Sequence, residues 1–332
     1  MSIVSVHSAG LTHCGNVRDE NQDQYVIAEM SRAMMVKSSG LSTLEGMRLL
    51  GDSFATILLV ADGMGGHLGG REASRSAIEY FLASILNKLT WVEAITGDNE
   101  LAFRQVLGET LTEAHRELQS FAATHPHLKD MGTTLTMAYV TWPQLYIVHA
   151  GDTRCYLYRD RNLRLITRDH TVAQQMMMSG KLKADESERS PWSNVLVNAL
   201  GAGAPDVVPD LYRLTLTPED RLLLCSDGLN KHVSDDRIAK ELTQRNSPEE
   251  TAKELVKLAL DGGGSDNVTV LLTDFVTTSG SSPMRTYSEI PTEQQILTEF
   301  DRELTEVDTS DLEAPSPITE ELTIDLDKRI QK

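Results

Sequence analysis

The stretch that decides the fold is "GTTLTMAYVTWPQLYIVHAGDTRCYLYRDRNLRLIT", residues 132–167. Four runs rich in β-branched, aliphatic and aromatic residues (132–141, 144–151, 153–159 and 163–167) are joined by short polar links such as Gly-Asp and Asp-Arg-Asn. Links this short join antiparallel neighbours, whereas a parallel crossover needs a long connection, usually a helix. The block therefore predicts hairpins and excludes a parallel Rossmann-type sheet. Working outward, residues 3–12, 24–30 and 54–61 read as strands. Two long helices follow, at 70–89 and 99–123, the first carrying Ala77, Phe81, Ile85 and Leu89 at helical spacing. Beyond the hairpins come a helix near 170–179, strands at 210–217 and 221–226, helices at 235–244 and 248–261, and a last strand at 267–275. Runs of strands beside pairs of helices predict an α+β fold with layered sheets.

The 332 residues are 40% hydrophobic and 24% charged, an ordinary globular composition. No apolar run approaches the roughly 20 residues that span a bilayer, and the N-terminus lacks the basic-then-apolar pattern of a secretory signal. Cys14, Cys155 and Cys225 are widely spaced and form no zinc pattern. They suit a reducing compartment, so a cytoplasmic protein with no membrane association is expected. The net charge of −18 argues against nucleic acid, which selects a basic footprint, and fits a protein that collects divalent cations on carboxylates. From Thr277 to Lys332 there are 13 acidic and 5 basic residues, opening on the linker-like "TTSGSSP" (277–283). We therefore expect one catalytic domain over 1–276 and an acidic tail over 277–332. Leu297, Phe300, Leu304 and Val307 suggest a short amphipathic helix in that tail, either solvated or a docking element.

The chemistry lies where strands end. "VADGMGGHLGG" (60–70) takes an apolar strand into Asp62 and then places five glycines in eight residues. Glycine is kept where backbone bends sharply or approaches something closely. Four more aspartates stand at strand edges: Asp23, Asp152, Asp227 and Asp266. Each alone reads equally as a turn residue. If the strands share a rim, however, the carboxylates repel one another and call for a cation. Oxygen ligands without Cys or His select hard ions, Mg²⁺ or Mn²⁺.

In order along the chain, "RDENQD" (18–23), "DGMGGH" (62–67), "GTTL" (132–135), "AGDTR" (150–154), "TRDHT" (167–171), "NALGAG" (198–203), "LLLCSDGL" (222–229) and "GGSDNVTVLL" (263–272) resemble the metal-dependent serine/threonine protein phosphatases of the protein phosphatase 2C type, in their bacterial form. The resemblance covers about residues 3–275. It implies a four-layer αββα sandwich, two antiparallel sheets flanked by helix pairs. It also implies two Mg²⁺ or Mn²⁺ ions, held by Asp62, the Gly63 carbonyl, Asp227, Asp266 and Asp23, with a weaker third ion between Asp152 and Asp227. Arg18 matches the arginine that grips the substrate phosphate. The implied reaction is hydrolysis of phosphoserine and phosphothreonine monoesters by in-line attack of metal-activated water, without a phosphoenzyme. The substrates would be phosphorylated proteins, those of a serine/threonine kinase, met by a monomer.

Two departures stand out. Animal members carry a histidine after the Asp-Gly, and here it is Met64, which donates no proton. His67 is the candidate substitute acid, beside a plain loop role. Residues 31–53 are longer than the family's usual link, and Met34, Met35, Met47, Leu49 and Leu50 suit an edge cover or a partner surface. Residues 176–194 match the variable flap beside the site, and its charged part, 181–190, is expected to influence substrate choice. One rival chemistry is open: Cys155 and Arg161 have the spacing of cysteine-dependent phosphatases, although "YLYRD" between them alternates like a strand.

Overall fold

A computed structural model describes residues 3–36, 48–65, 69–88, 98–183, 186 and 190–278. Its strands are β1 (Ile3–His13), β2 (Gln24–Met35), β3 (Arg48–Ala61), β4 (Gly63–Met64), β5 (Gly132–Thr133), β6 (Leu135–Thr141), β7 (Gln144–Ala150), β8 (Arg154–Arg159), β9 (Asn162–Leu165), β10 (Leu200–Gly201), β11 (Asp210–Thr215), β12 (Arg221–Cys225) and β13 (Val268–Thr278). The helices are α1 (Gly69–Lys88), α2 (Asp98–Thr124), α3 (Val172–Met178), α4 (Asp227–Asn230), α5 (Asp235–Thr243) and α6 (Pro248–Asp261). None among the described residues is long and apolar enough to cross a membrane.

Two five-stranded antiparallel sheets form, in the orders β1-β13-β12-β8-β9 and β11-β7-β6-β3-β2. The hairpins expected from 132–167 are present, with β6 paired to β7 and β8 to β9. The sheets stack face to face, and the burial pattern of β3 shows why its sequence reads as an unbroken apolar run. Leu58 and Val60 pack with Leu222, Leu224, Leu271 and Phe275 between the sheets. Ile57, Leu59 and Ala61 point the other way, onto Ala77, Phe81 and Ile85 of α1 and Leu107 and Leu111 of α2. Both faces are covered, so alternation is replaced by continuous hydrophobicity. The outer face of the other sheet packs Leu223, Cys225 and Val270 against Ile238 and Leu242 of α5 and Leu255 and Ala259 of α6. The result is the four-layer sandwich. α6 is entered through a full capping box, Ser247 with Glu250, followed by Pro248.

Three details depart from the sequence reading. A third, three-stranded sheet, β10-β5-β4, sits beside the large ones, its strands too short to carry a periodic signal. Much of the expected 31–53 link is strand: β2 and β3 continue as one hairpin to the Met35–Arg48 pair, with irregularities at Met30–Ser31 and Ser31–Ala33. The bulges interrupt alternation, which hid these strands. Met35 is exposed, and Met47 lies outside the described residues. β13 also runs past 276, because Thr277 and Thr278 pair with Val4 and Ile3. The proposed tail helix lies outside the described residues.

Candidate active site

The registers bring five strand ends to one rim. Gln24, which opens β2, pairs with Ala61, which closes β3, so Asp23 and Asp62 emerge together. Cys225, which closes β12, pairs with Arg154 at the start of β8 and with Val270 near the start of β13. Asp152, Asp227 and Asp266 therefore leave the second sheet at the same end.

Each acid is held by its own motif. The Asp62 backbone is clamped by "GTTL": its N–H donates to Thr134 Oγ1 (2.9 Å), and its carbonyl accepts from Thr134 N–H (2.9 Å) and Thr133 Oγ1 (2.8 Å). A side chain on Gly63 would collide with the Gly70 carbonyl, so glycine lets the strand exit pass against the entry to α1. The turn before Asp152 is held by "TRDHT": the Gly151 carbonyl accepts from His170 N–H (2.7 Å), and Asp169 takes the Arg154 fork at 3.0 and 2.7 Å. Asp23 lies beneath the rim, where its Oδ2 accepts from Ser226 Oγ (2.6 Å) and Thr269 Oγ1 (2.7 Å). Asn267 ties down the chain that carries Arg18: its Oδ1 accepts from Gln22 N–H, and its Nδ2 donates to the carbonyls of Cys14 and Glu20, all at 2.9 Å. Gly228 is packed on Asn267 so closely that a Cβ there would overlap the Asn267 carbonyl oxygen, which sets α4 directly against the start of β13.

The electrostatics are those of acids crowded without enough counter-charge. Burial, and then the charges of Asp23, Asp227, Asp152 and Asp266, drive the Asp62 carboxyl well above the usual carboxylate range. Asp62 is half-buried at the rim. Burial pushes Asp23 up to about 7, against the pull of its two hydroxyl donors. Asp152 is raised well above its ordinary value by burial and by Asp227. Asp227 is raised by burial in spite of Lys231. Burial also acts on Asp266, but there Lys231 and Arg18 win and the carboxyl falls below its usual value. Arg18 donates through Nε to Asp266 Oδ1 (2.8 Å) and through Nη2 to Oδ2 (3.1 Å), while more than half of its side chain stays exposed. Lys231 Nζ lies 2.5 Å from Asp227 Oδ2 and 2.8 Å from Asp266 Oδ2.

Two oxygens test whether the rim suits a cation. Among the described residues, Asp23 Oδ1 and Asp227 Oδ1 are buried and accept no hydrogen bond. An unpaired buried carboxylate oxygen is strongly unfavourable in the absence of a counter-charge. The donor set is all oxygen, as a hard divalent ion demands. Among the described residues no group of three or more His, Cys, Asp or Glu side chains is placed to hold a metal ion, and the Lys231 ammonium lies between Asp227 and Asp266. A cleft of about 440 Å³ lined by Val6, His7, Ile27 and Pro248 lies at another edge and contains none of these acids.

The structure thus gathers Arg18, Asp23, Asp62, Asp152, Asp227 and Asp266, with Gly63 in β4 beside them. His67 lies outside the described residues, as do 184, 185 and 187–189 of the charged stretch expected beside the site. The cysteine chemistry is overturned: Cys155 is fully buried within strand β8, and burial pushes its thiol far up, so no thiolate is available. Sequence reading missed Lys231, Ser226, Thr269 and Asn267. The last three adjoin or closely follow the strand-end aspartates, which was the available signal.

Residues 49–260 match the family described as Protein phosphatase 2C. The chain is 33% identical over 218 residues to the serine/threonine phosphatase stp of Listeria monocytogenes, covering 66% of this chain and 84% of that one. It is 36% identical over 222 residues to the serine/threonine protein phosphatase PstP of Mycobacterium tuberculosis, covering 67% of this chain and 41% of PstP. A crystal structure of the M. tuberculosis phosphatase PstP/Ppp superposes with a TM-score of 0.65 at 31% identity, over 83% of this chain and all of that one. The PstP catalytic domain in complex with two manganese ions gives 0.63 at 31% identity, over 82% of this chain and all of that one. Similarity of this extent, on a sandwich whose strand-end aspartates meet at one rim, means that the chain belongs to the protein phosphatase 2C family.

Proposed function

We propose that the aspartate rim hydrolyses phosphoserine and phosphothreonine monoesters in proteins. The chain is a metal-dependent serine/threonine protein phosphatase, and the observation that carries the site assignment is the pair of buried, unpartnered oxygens on Asp23 and Asp227 among five converging acids. Asp62, the Gly63 carbonyl, Asp227 and Asp266 would hold two Mn²⁺ or Mg²⁺ ions, with Asp23 beneath them. When bound, the ions supply an acidified water for in-line attack and neutralise the charge spread over the phosphoryl oxygens.

The residues of the chain do the rest. The Thr133–Thr134 clamp fixes the Asp62 backbone at the strand end, so its carboxylate would be offered to an ion from a set position. Ser226 and Thr269 fix Asp23 in the same way. Arg18 is the exposed member: its fork exchanges Asp266 for a phosphate, a swap of small cost because exposed ion pairs are weak. Met64 leaves the leaving group without a histidine donor at that position, so the proton comes from solvent at the rim or from His67. We further propose a catalytic domain that ends with β13 at 278, with an acidic tail after it, a cytoplasmic monomer, and substrates phosphorylated by a serine/threonine kinase.

The test is turnover of a phosphothreonine peptide with Mn²⁺, with chelator, and with Asp227→Asn. Activity should require Mn²⁺ and vanish in the variant. Activity indifferent to chelation would overturn the reading.

A further inference from the structure

The loop over residues 18–23 has a second arginine beside it. Gly70, at the start of α1, is packed so closely on this loop that a Cβ there would meet Gln22 Oε1 at 2.4 Å and the Gly63 carbonyl carbon at 2.8 Å. One turn on, Ser74 Oγ donates to the Gln22 carbonyl at 2.7 Å. The first turn of α1 is thereby fixed against the loop, and Arg71 extends from between these two contacts. Its Nη1 lies 3.4 Å from Glu20 Oε1, and 64% of the arginine side chain is exposed. Glu20 is anchored in turn, because its carbonyl accepts from Asn267 Nδ2 at 2.9 Å. The loop that carries Arg18 and leads to Asp23 thus has one guanidinium of its own and a second resting on its middle.

Helix stability does not account for Arg71, since a cation in the first turn opposes the helix dipole. The next arginine of α1, Arg75, is engaged by its own helix: Nη2 donates to both oxygens of Glu72 at 2.7 and 2.9 Å, and Nη1 lies 3.6 Å from Glu79. Arg71 touches Glu20 through one nitrogen, at a length beyond that of an ordinary hydrogen bond. A guanidinium holds a carboxylate best through two parallel N–H donors, and an exposed pair this long parts at little cost. We propose that Arg71 is a specificity-determining residue: when Arg18 takes the substrate phosphate, Arg71 leaves Glu20 for a carboxylate of the substrate close in sequence to the phosphoresidue. The exchange replaces one carboxylate by another within reach of the same guanidinium.

The inference rests on the phosphatase reading above, and its test compares substrates rather than asking for activity alone. Phosphothreonine peptides carry a single Glu or its neutral isostere Gln at each position from three before to three after the phosphoresidue, and kcat/KM is measured with Mn²⁺ on the full chain. A chain of net charge −18 repels acidic peptides as a whole, so a preference for Glu over Gln marks a local cation. The wild type should show it at one or more positions, by about three- to fivefold, the range of an exposed charge pair. The preference should shrink in about 0.5 M salt, a comparison that needs no variant. Arg71→Gln should abolish it and Arg71→Glu should turn it against Glu, while turnover of a small aryl phosphate stays at the wild-type level in both. Arg75→Gln should keep it. No preference in the wild type, a preference that survives in Arg71→Gln, its loss in Arg75→Gln, or an equal fall in aryl phosphate turnover overturns the role of Arg71 while leaving the phosphatase reading intact. A wild type that turns over neither peptide nor aryl phosphate with Mn²⁺ sinks that reading, and the inference with it.

Discussion

The two ends of strand β12 handle buried charge in opposite ways. At its start, Arg221 is wholly inaccessible, yet every direction is answered: Nε and Nη2 donate to Asp274 at 2.6 and 3.1 Å, Nη1 to the Leu242 carbonyl at 2.9 Å, and Nη2 to the Asn246 carbonyl at 2.8 Å. At its end, Asp227 joins four other aspartates with Lys231 and Arg18 as the cations paired to them, and among the described residues one of its oxygens has no hydrogen-bond partner. The first arrangement is complete from this chain's own atoms and holds sheet to helix. The second is complete only with something added. A fully partnered buried charge is structural, and an under-partnered one marks a binding place.

That contrast can be broken experimentally. The largest effect should come from Asp62→Asn: phosphopeptide turnover falls by about a thousandfold or more, as loss of several kcal/mol of metal-assisted stabilisation requires. The metal-free protein should melt no lower than wild type, because a repelled carboxylate is gone. At the other end of β12, Asp274→Ala should leave Arg221 buried and unpaired and reduce folding stability by about 3–5 kcal/mol in urea titrations, with turnover per folded molecule unchanged. Equal effects of the two variants on both readouts would erase the distinction.

A third expectation concerns pH. Asp23, pushed up to about 7, and Asp62 and Asp152, also raised, hold protons in the folded chain that the unfolded chain releases near the ordinary aspartate value. Where the native state binds more protons, stability falls as pH rises. The metal-free protein should therefore lose stability between the unfolded aspartate pKa and about 7. Asp266, lowered, acts in the opposite sense and weakens the fold only on stronger acidification. Ions must displace these protons, so Mn²⁺ should raise the melting temperature more at about pH 8 than at about pH 5.5, as read by scanning calorimetry. Equal shifts would separate the acids from metal binding. The smallest effect should come from Arg18→Ala: KM for a phosphopeptide rises by about tenfold with a lesser change in kcat, since a charge-assisted contact at an exposed side chain is lost.

Much of this was legible before any coordinates. The hairpins of 132–167 follow from link lengths, and the two-sided burial of β3 follows from its unbroken apolar run. The strand-end aspartates announced themselves by standing beside glycine or at a strand start. Other parts left no local trace. β4, β5 and β10 are two residues each and form only because Gly63–Met64, Gly132–Thr133 and Leu200–Gly201 are brought together from distant parts of the chain. Lys231 reads as an ordinary surface lysine after a turn, and nothing local reveals that α4 lies flat on Asn267.

Sequence alone determined the α+β layering, the order of the motifs and the identity of the acids, because periodicity, link length and residue chemistry are properties of short stretches. Tertiary structure alone decided that the five aspartates share one rim, that Asp23 lies beneath it on Ser226 and Thr269, and that Lys231 turns back among them. Those facts depend on strand register and on contacts between residues far apart in the chain, such as Asp23 with Thr269, 246 positions away. No window along the chain contains both partners.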